Sequence, residues 1–190
     1  MKLAAFDPGT VTSFAIFDTE RPWEIEIGEV RLVGAGRELR PCGLHIREIV
    51  SSIDQALIEK VGAMKNQGVS SMFTFGMSTG AVLGAICALE IPLDRVEPRE
   101  WKKGSRLSGL KDSEAKTAAR LYAKELWPEH AKTFDMATKH GMADAALMAR
   151  WYFMSGPGRH VSIDGPTAMR LPGTQLRMAH DTAGCAVQSA

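Results

Sequence analysis

The chain has 190 residues, 45 % hydrophobic and 24 % charged, which gives one domain with a real core and excludes wholesale disorder. Twenty-three Lys and Arg against twenty-two Asp and Glu leave a formal net charge of +1. That excludes a generic polycation, and any nucleic-acid contact must come from a local patch.

Lys2 to Phe6 reads as a strand stopped by the turn Asp7-Pro8-Gly9-Thr10. Val11 to Phe17 is a second strand, and Ile25 to Val33 a third after the break at Pro22: an antiparallel meander whose first strand ends in an acid. From Glu38 to Ser52 the residues Leu39, Cys42, Ile46, Ile49 and Val50 follow a helix period. Ala56 to Val61 is a short strand with Glu59 near its end. Gly62 to Ser71 is a polar loop, Met77 to Leu89 a small-residue helix stopped by Pro92, and Leu93 to Val96 a last short strand. Arg99 to Leu110 is basic and reads as loop. Asp112 or Ser113 caps the next helix, which ends before Pro128. Lys139 to Met154 forms the final helix, stopped by Gly156-Pro157. The domain is expected over residues 1–154, and 155–190 as a C-terminal tail ordered in part at most.

Cys42, Cys87 and Cys185 are far apart, so neither a zinc spacing nor a disulfide framework follows, and a reducing compartment is expected. The N-terminal apolar run meets Asp7 too soon for a signal peptide. The least polar segment, Ala81 to Leu89, is short of a membrane span. The cytoplasm is the expected location.

Three acids stand out by position. Asp7 ends the first strand, Glu59 ends a strand reached after a helix, and Asp144 sits in the last helix among Ala143, Ala145, Ala146, Leu147 and Met148. An acid on such a face is costly to bury unless paired or bound to a metal. His140 lies four residues before Asp144, on the same helix face. Converging carboxylates hold their protons or recruit a cation. Mg²⁺ takes oxygen ligands, and Mn²⁺ also accepts an imidazole. Two such ions about 3.5–4 Å apart are a common device for phosphodiester hydrolysis.

Several segments then resemble one family. Phe6-Asp7-Pro8-Gly9-Thr10 resembles the opening motif of RuvC-type Holliday junction resolvases. Ile58-Glu59-Lys60-Val61, Ala63-Met64, Gln67 through Phe73 and Phe75-Gly76 resemble the glutamate motif and following segment of the bacteriophage-type members. Ile91-Pro92 through Val96, Pro98, Trp101-Lys102-Lys103, Lys111-Asp112, Ala115-Lys116 and Leu126-Trp127-Pro128 continue the pattern. His140-Gly141-Met142-Ala143-Asp144-Ala145-Ala146-Leu147 resembles the C-terminal acidic helix motif. The resemblance covers about residues 1 to 154.

It implies an α/β protein of RNase H-like fold, a five-stranded mixed sheet flanked by helices. It also implies an endonuclease that makes paired nicks in four-way junctions, as a homodimer, in the host cytoplasm if phage-encoded. Mg²⁺ is the implied cofactor, two ions per active site, with Mn²⁺ as a substitute and no nucleotide cofactor. Carried over by residue, Asp7 resembles the ligand shared by both ions, Glu59 the second carboxylate and Asp144 the final acid, with His140 as a helper ligand. Many bacterial members have an acid or histidine three residues before the last acid, where this chain has Gly141. Asp135 substitutes only if the chain folds back, and Lys139 is an alternative phosphate contact.

Residues 99 to 132 hold nine Lys and Arg against five Asp and Glu. Lys102, Lys103, Arg106 and Lys111 are the expected phosphate contacts. Trp101 is either a stacking surface or a core residue. In the loop after Glu59, Lys65, Asn66 and Gln67 offer hydrogen bonds, and Gly68 permits close approach. Phe73 or Phe75 is either a wedge for an open junction or core. A four-way junction is recognised by shape, which requires few base contacts. Two rival readings stay open: a catalytically inert junction-binding protein of the same fold, and an actin-like nucleotide-binding protein, whose phosphate loop also reads Asp-x-Gly-Thr. No membrane partner is expected.

Overall fold

The computed structural model describes residues 1–60, 62 and 68–155. Lys65, Asn66, Gln67 and the expected tail from residue 156 onward lie outside the described residues. Strands β1 (Lys2–Asp7), β2 (Ser13–Asp18) and β3 (Ile25–Glu29) form the expected meander. Two short strands, β4 (Leu32–Val33) and β5 (Arg40–Pro41), pair apart from it. Helix α1 (Gly43–Val50) leads to β6 (Gln55–Glu59), helix α2 (Val69–Ala88) to β7 (Leu93–Val96). Helices α3 (Pro98–Gly104), α4 (Asp112–Leu126), α5 (Ala131–Phe134) and α6 (His140–Ser155) follow.

The main sheet has the order β3-β2-β1-β6-β7. The pairs β3–β2 and β2–β1 are antiparallel, β1–β6 and β6–β7 parallel. This five-stranded mixed sheet with helices on both faces is an RNase H-like α/β fold, as the resemblance implied.

Strand periodicity divides the interior in two. Ala4, Phe6, Ala56 and Ile58 face one core with Ile46, Ile49 and Val50 of α1 and Val82 and Ile86 of α2. Leu3, Ala5 and Leu57 face the other, built mainly on α6, with Trp101 of α3 and Ala119 and Ala123 of α4. Asp7 and Glu59 continue the second series. Alternation alone therefore puts both acids on the face that α6 covers.

Six expectations change. The basic stretch read as loop holds α3. Proline at its start, Glu100 in its first turn and Lys102 and Lys103 in its last suit the helix geometry and dipole. Helix α2 begins at Val69 rather than Met77 and has no charged residue. By length and composition alone it is long and apolar enough to cross a membrane. The expectation of a segment too short to span is corrected accordingly. Its inner residues Ser78, Thr79, Val82 and Ile86 are buried against the protein. The third strand stops at Glu29, because the Val30 N–H turns to Thr12 O at 2.8 Å. Helix α1 starts after Pro41, which pairs with Leu32 in the small sheet instead. The N-cap of α4 is Lys111, whose N–H donates to Glu114 Oε2 at 3.2 Å.

Candidate active site

In the parallel β1–β6 pair, Phe6 stands beside Ile58, so Asp7 and Glu59 are neighbours at the carboxyl ends of adjacent strands. On the other side, Asp7 pairs with Ser13. Helix α6 packs over β1 and β2 and approaches with its first turn. A Cβ placed on Gly141 would lie 2.7 Å from Ser13 Oγ and 2.9 Å from Asp7 Oδ2. Only glycine allows this contact, and one turn further on the same helix carries Asp144.

The three acids also act on one another electrostatically. Burial first, then the charges of Asp144 and Glu59, push the Asp7 carboxyl well above the usual range, against Lys102 and Lys116. Asp144 is pushed up to about 7, chiefly by burial, with Glu59 and Asp112 adding to it and Lys102 and Lys116 opposing. Glu59 is raised by burial, opposed by a hydrogen bond from Trp101 and by Lys102. Three carboxylates this desolvated and this mutually repulsive are an incomplete electrostatic unit without positive charge.

The neighbours were only partly foreseeable. Trp101 is 1 % exposed, and its indole N–H donates to Glu59 Oε1 at 2.9 Å. Its aromatic faces lie in the core rather than open to a base. Lys102 Nζ stands 5.3 Å from the Trp101 ring centroid, where it favours the ionised form of all three acids. Lys116, unassigned by the sequence reading, pairs with Asp112 at 3.0 Å and also acts on Asp7 and Asp144. Packing of α4 on α6 brings both residues there, and no local pattern signals it.

His140 opens α6. Its Nδ1 lies 3.3 Å from Ala137 O. A carbonyl only accepts, so this contact puts a proton on Nδ1, and in the neutral ring it leaves the Nε2 lone pair free to accept a hydrogen bond or bind a cation. Asp112 nearby is held below its ordinary range, chiefly by its hydrogen bond with Lys116. Asp135 does not fold back to the acids: both its oxygens accept from Lys124 Nζ, at 2.7 and 2.8 Å. Lys139 is engaged by Glu29 at 2.7 Å.

Of the other expected DNA contacts, Lys103, Arg106 and Lys111 are exposed. Phe73 is 66 % exposed on α2, and Phe75 is half-buried. Gly68 is exposed at the N-terminus of α2.

Among the described residues, no group of three or more His, Cys, Asp and Glu side chains stands close enough to close around a metal ion. The donor chemistry nevertheless fits a hard divalent cation. The three acids offer only oxygen, and their repulsion calls for positive charge.

No family model and no curated protein matches the chain. Solved structures similar to the chain include two of RuvC. Thermus thermophilus RuvC is 17 % identical with a TM-score of 0.49, covering 82 % of this chain and 97 % of that one. T. thermophilus RuvC in complex with a Holliday junction substrate is 16 % identical with a TM-score of 0.57, covering 82 % of this chain and 98 % of that one. The second likeness extends over nearly the whole of that RuvC chain and shows that the two proteins share a fold.

Proposed function

We propose that this protein is a RuvC-like, divalent-cation-dependent endonuclease that cuts four-way DNA junctions, and related branched DNA, by paired nicks. The observation that carries the reading is that Asp7 and Glu59 are neighbours at the ends of β1 and β6 and that Asp144 of α6 acts on Asp7, each of the three carboxyls being held above its usual range. The shared fold supports it, since the similar RuvC is described in complex with a Holliday junction substrate.

In this reading Asp7, Glu59 and Asp144, with His140 Nε2 as helper, hold two Mg²⁺ or Mn²⁺ ions. When bound, these supply Lewis-acid activation of water and of the phosphodiester. The remaining tasks belong to side chains. Trp101 fixes one oxygen of Glu59. Lys102, Lys103, Arg106 and Lys111 draw the phosphate backbone toward the acids. Gly141 keeps the helix turn close to Asp7. By resemblance to the family, the products carry 5′-phosphate and 3′-hydroxyl ends.

A homodimer suits the substrate, because two sites related by a two-fold axis match the symmetry of a four-way junction. Helix α2 offers a face for it. Gly76, Gly80 and Gly84 recur every four residues with open space above them, and Phe73 is exposed beside them.

The test is cleavage of labelled four-way junction, Y-fork and linear duplex by wild type and Asp7→Asn, in Mg²⁺ and in Mn²⁺. Symmetric nicks in the junction that vanish in the variant are expected. Tight junction binding with no cut in either metal would replace this reading with an inert junction-binding protein.

A further inference from the structure

The ends of β6 and β7 carry a second charged group beside the acids. Lys60 directly follows Glu59, and its N–H donates to Val96 O at 2.7 Å, so the two strands stay joined past the acid. Glu59 stands beside Val96, and Ile58 beside Arg95. Alternation therefore puts Lys60, Arg95 and Glu97 on the α2 side of the sheet, opposite Glu59. Lys60 Nζ reaches Glu97 Oε1 at 2.5 Å. Glu97 is the N-cap residue of α3, yet its side chain makes no capping bond; it is turned to Lys60 instead.

Arg95 and Arg99 are exposed, and neither forms an ion pair among the described residues. Both act on Glu97 all the same. Its carboxyl is held below its ordinary range chiefly by the Lys60 hydrogen bond, with the charges of Lys60, Arg99 and Arg95 adding to it. Three cations thus share one carboxylate. Helix α2, on the same side, has no charged residue and supplies no acid. Glu100 lies on the row of α3 that continues to Gly104, beside Trp151 of α6. Arg99 lies on the row that continues to Lys103, which links this group to the cations of the α3 side.

We propose that Lys60, Arg95 and Arg99 form a second phosphate-binding site, for the DNA strand where it leaves the acids on the α2 side, and that the Glu97 carboxylate holds the place of the phosphate until DNA arrives. The inference rests on the DNA-cutting reading above and extends it, because the cations named there all lie in or between α3 and α4. A strand crossing the carboxyl ends of β1 and β6 then meets positive charge on both sides of the acids. Exposed ion pairs are weak. A backbone phosphate carries the same charge as the carboxylate, so it replaces Glu97 without leaving Lys60 unpaired, and it gains the planar donor forks of two arginines. Glu97 has to be displaced, so it weakens every complex that uses this site.

The experiment measures binding of a labelled four-way junction to the full chain by fluorescence anisotropy, in EDTA so that no cut occurs, over a series of salt concentrations. Arg95→Ala/Arg99→Ala is expected to bind more weakly and to lose about two contacts' worth of salt slope, so that its disadvantage narrows about tenfold between about 50 and about 200 mM salt. Glu97→Gln is expected to bind about three- to tenfold more tightly, with a slope steeper by about one contact. In a Lys60→Ala background that gain is expected to shrink to under about twofold, which a change of net charge alone would not produce. Lys2→Ala/Arg21→Ala removes as much charge as the arginine pair, but at the other end of β1 and β2, and is expected to leave the slope unchanged.

If wild type binds and Arg95→Ala/Arg99→Ala changes affinity and slope no more than the control pair, the second phosphate site is overturned and the proposed endonuclease stands. A Glu97→Gln variant no tighter than wild type, or one that gains equally with and without Lys60, overturns the part given to Glu97. A wild type that binds no junction overturns the DNA reading, and this site with it.

Discussion

Replacing Asp144 by Asn should stabilise the metal-free protein, although the residue belongs to the proposed catalytic set. A carboxyl that titrates at about 7 rather than at its ordinary 3.8 has its ionised form disfavoured by at most about 4 kcal/mol in the fold. Part of that is repulsion shared with Glu59, so a gain of about 2–4 kcal/mol is expected on removing the charge. For a domain of this size it corresponds to roughly 4–16 °C in Tm. The sign follows from proton binding. The folded state holds the Asp144 proton more tightly than the unfolded chain, so wild-type stability falls as pH rises from about 4 to about 7 and is flat above. The advantage of the Asn variant is therefore full above pH 7, shrinks as pH drops through that window and is gone below about 4. The assay is thermal denaturation in EDTA at several pH values, repeated in Mg²⁺. Magnesium should raise the wild type far more than the variant. A variant no more stable than wild type in EDTA above pH 7, or one whose gain persists at pH 4, would refute the claim that Asp144 is held ionised against its surroundings.

Trp101→Phe removes the N–H that holds Glu59 Oε1 and leaves a small cavity; it should cost about 1–3 kcal/mol by urea denaturation and move the pH for half-maximal Mn²⁺ binding upward, since that bond favours the ionised carboxylate. Thr12 Oγ1 is buried with no partner among the described residues, so the isosteric Thr12→Val should be neutral or stabilising by up to about 1 kcal/mol in the same assay; a marked loss would reveal an unrecognised partner. Reversing charge at both Lys103 and Lys111 should weaken junction binding and flatten its salt dependence by about two counterions' worth of slope, and a fluorescence titration at several salt concentrations that shows neither removes these residues from the interface.

The acids were legible because period-2 alternation in β1 and β6 is strong. Leu3, Ala5 and Asp7 share a face, as do Leu57 and Glu59, and an isolated acid in the apolar run around Asp144 is hard to miss. Helix α3 was not legible, because Arg99, Glu100, Lys102 and Lys103 surround a single apolar anchor, Trp101, and one buried residue in seven gives no period. The early part of α2 was hidden for the opposite reason: Val69, Phe73, Thr74 and Phe75 favour strands, and burial of Val82 and Ile86 further along overrides that preference. Ser13, Asp112 and Lys116 became visible only through strand register and the docking of α4, which no sequence window contains.

The sheet also sorts the chain's tolerance to mutation. Side chains of β1 and β6 alternate between a core that ends in carboxylates and a core that ends in nothing chemical. Substitutions at Ala4, Phe6, Ile46, Ile58 or Val82 fall in the second core, separated from Asp7 and Asp144 by the backbone layer. They should move stability with little effect on chemistry. Changes at Leu57, Ala143 or Leu147 fall among the neighbours of the acids and should move both. Drift, or deliberate redesign for robustness, therefore has a free side and a constrained side, and a library restricted to the buried positions between α1, α2 and the sheet should yield hardened variants whose reaction is unaltered.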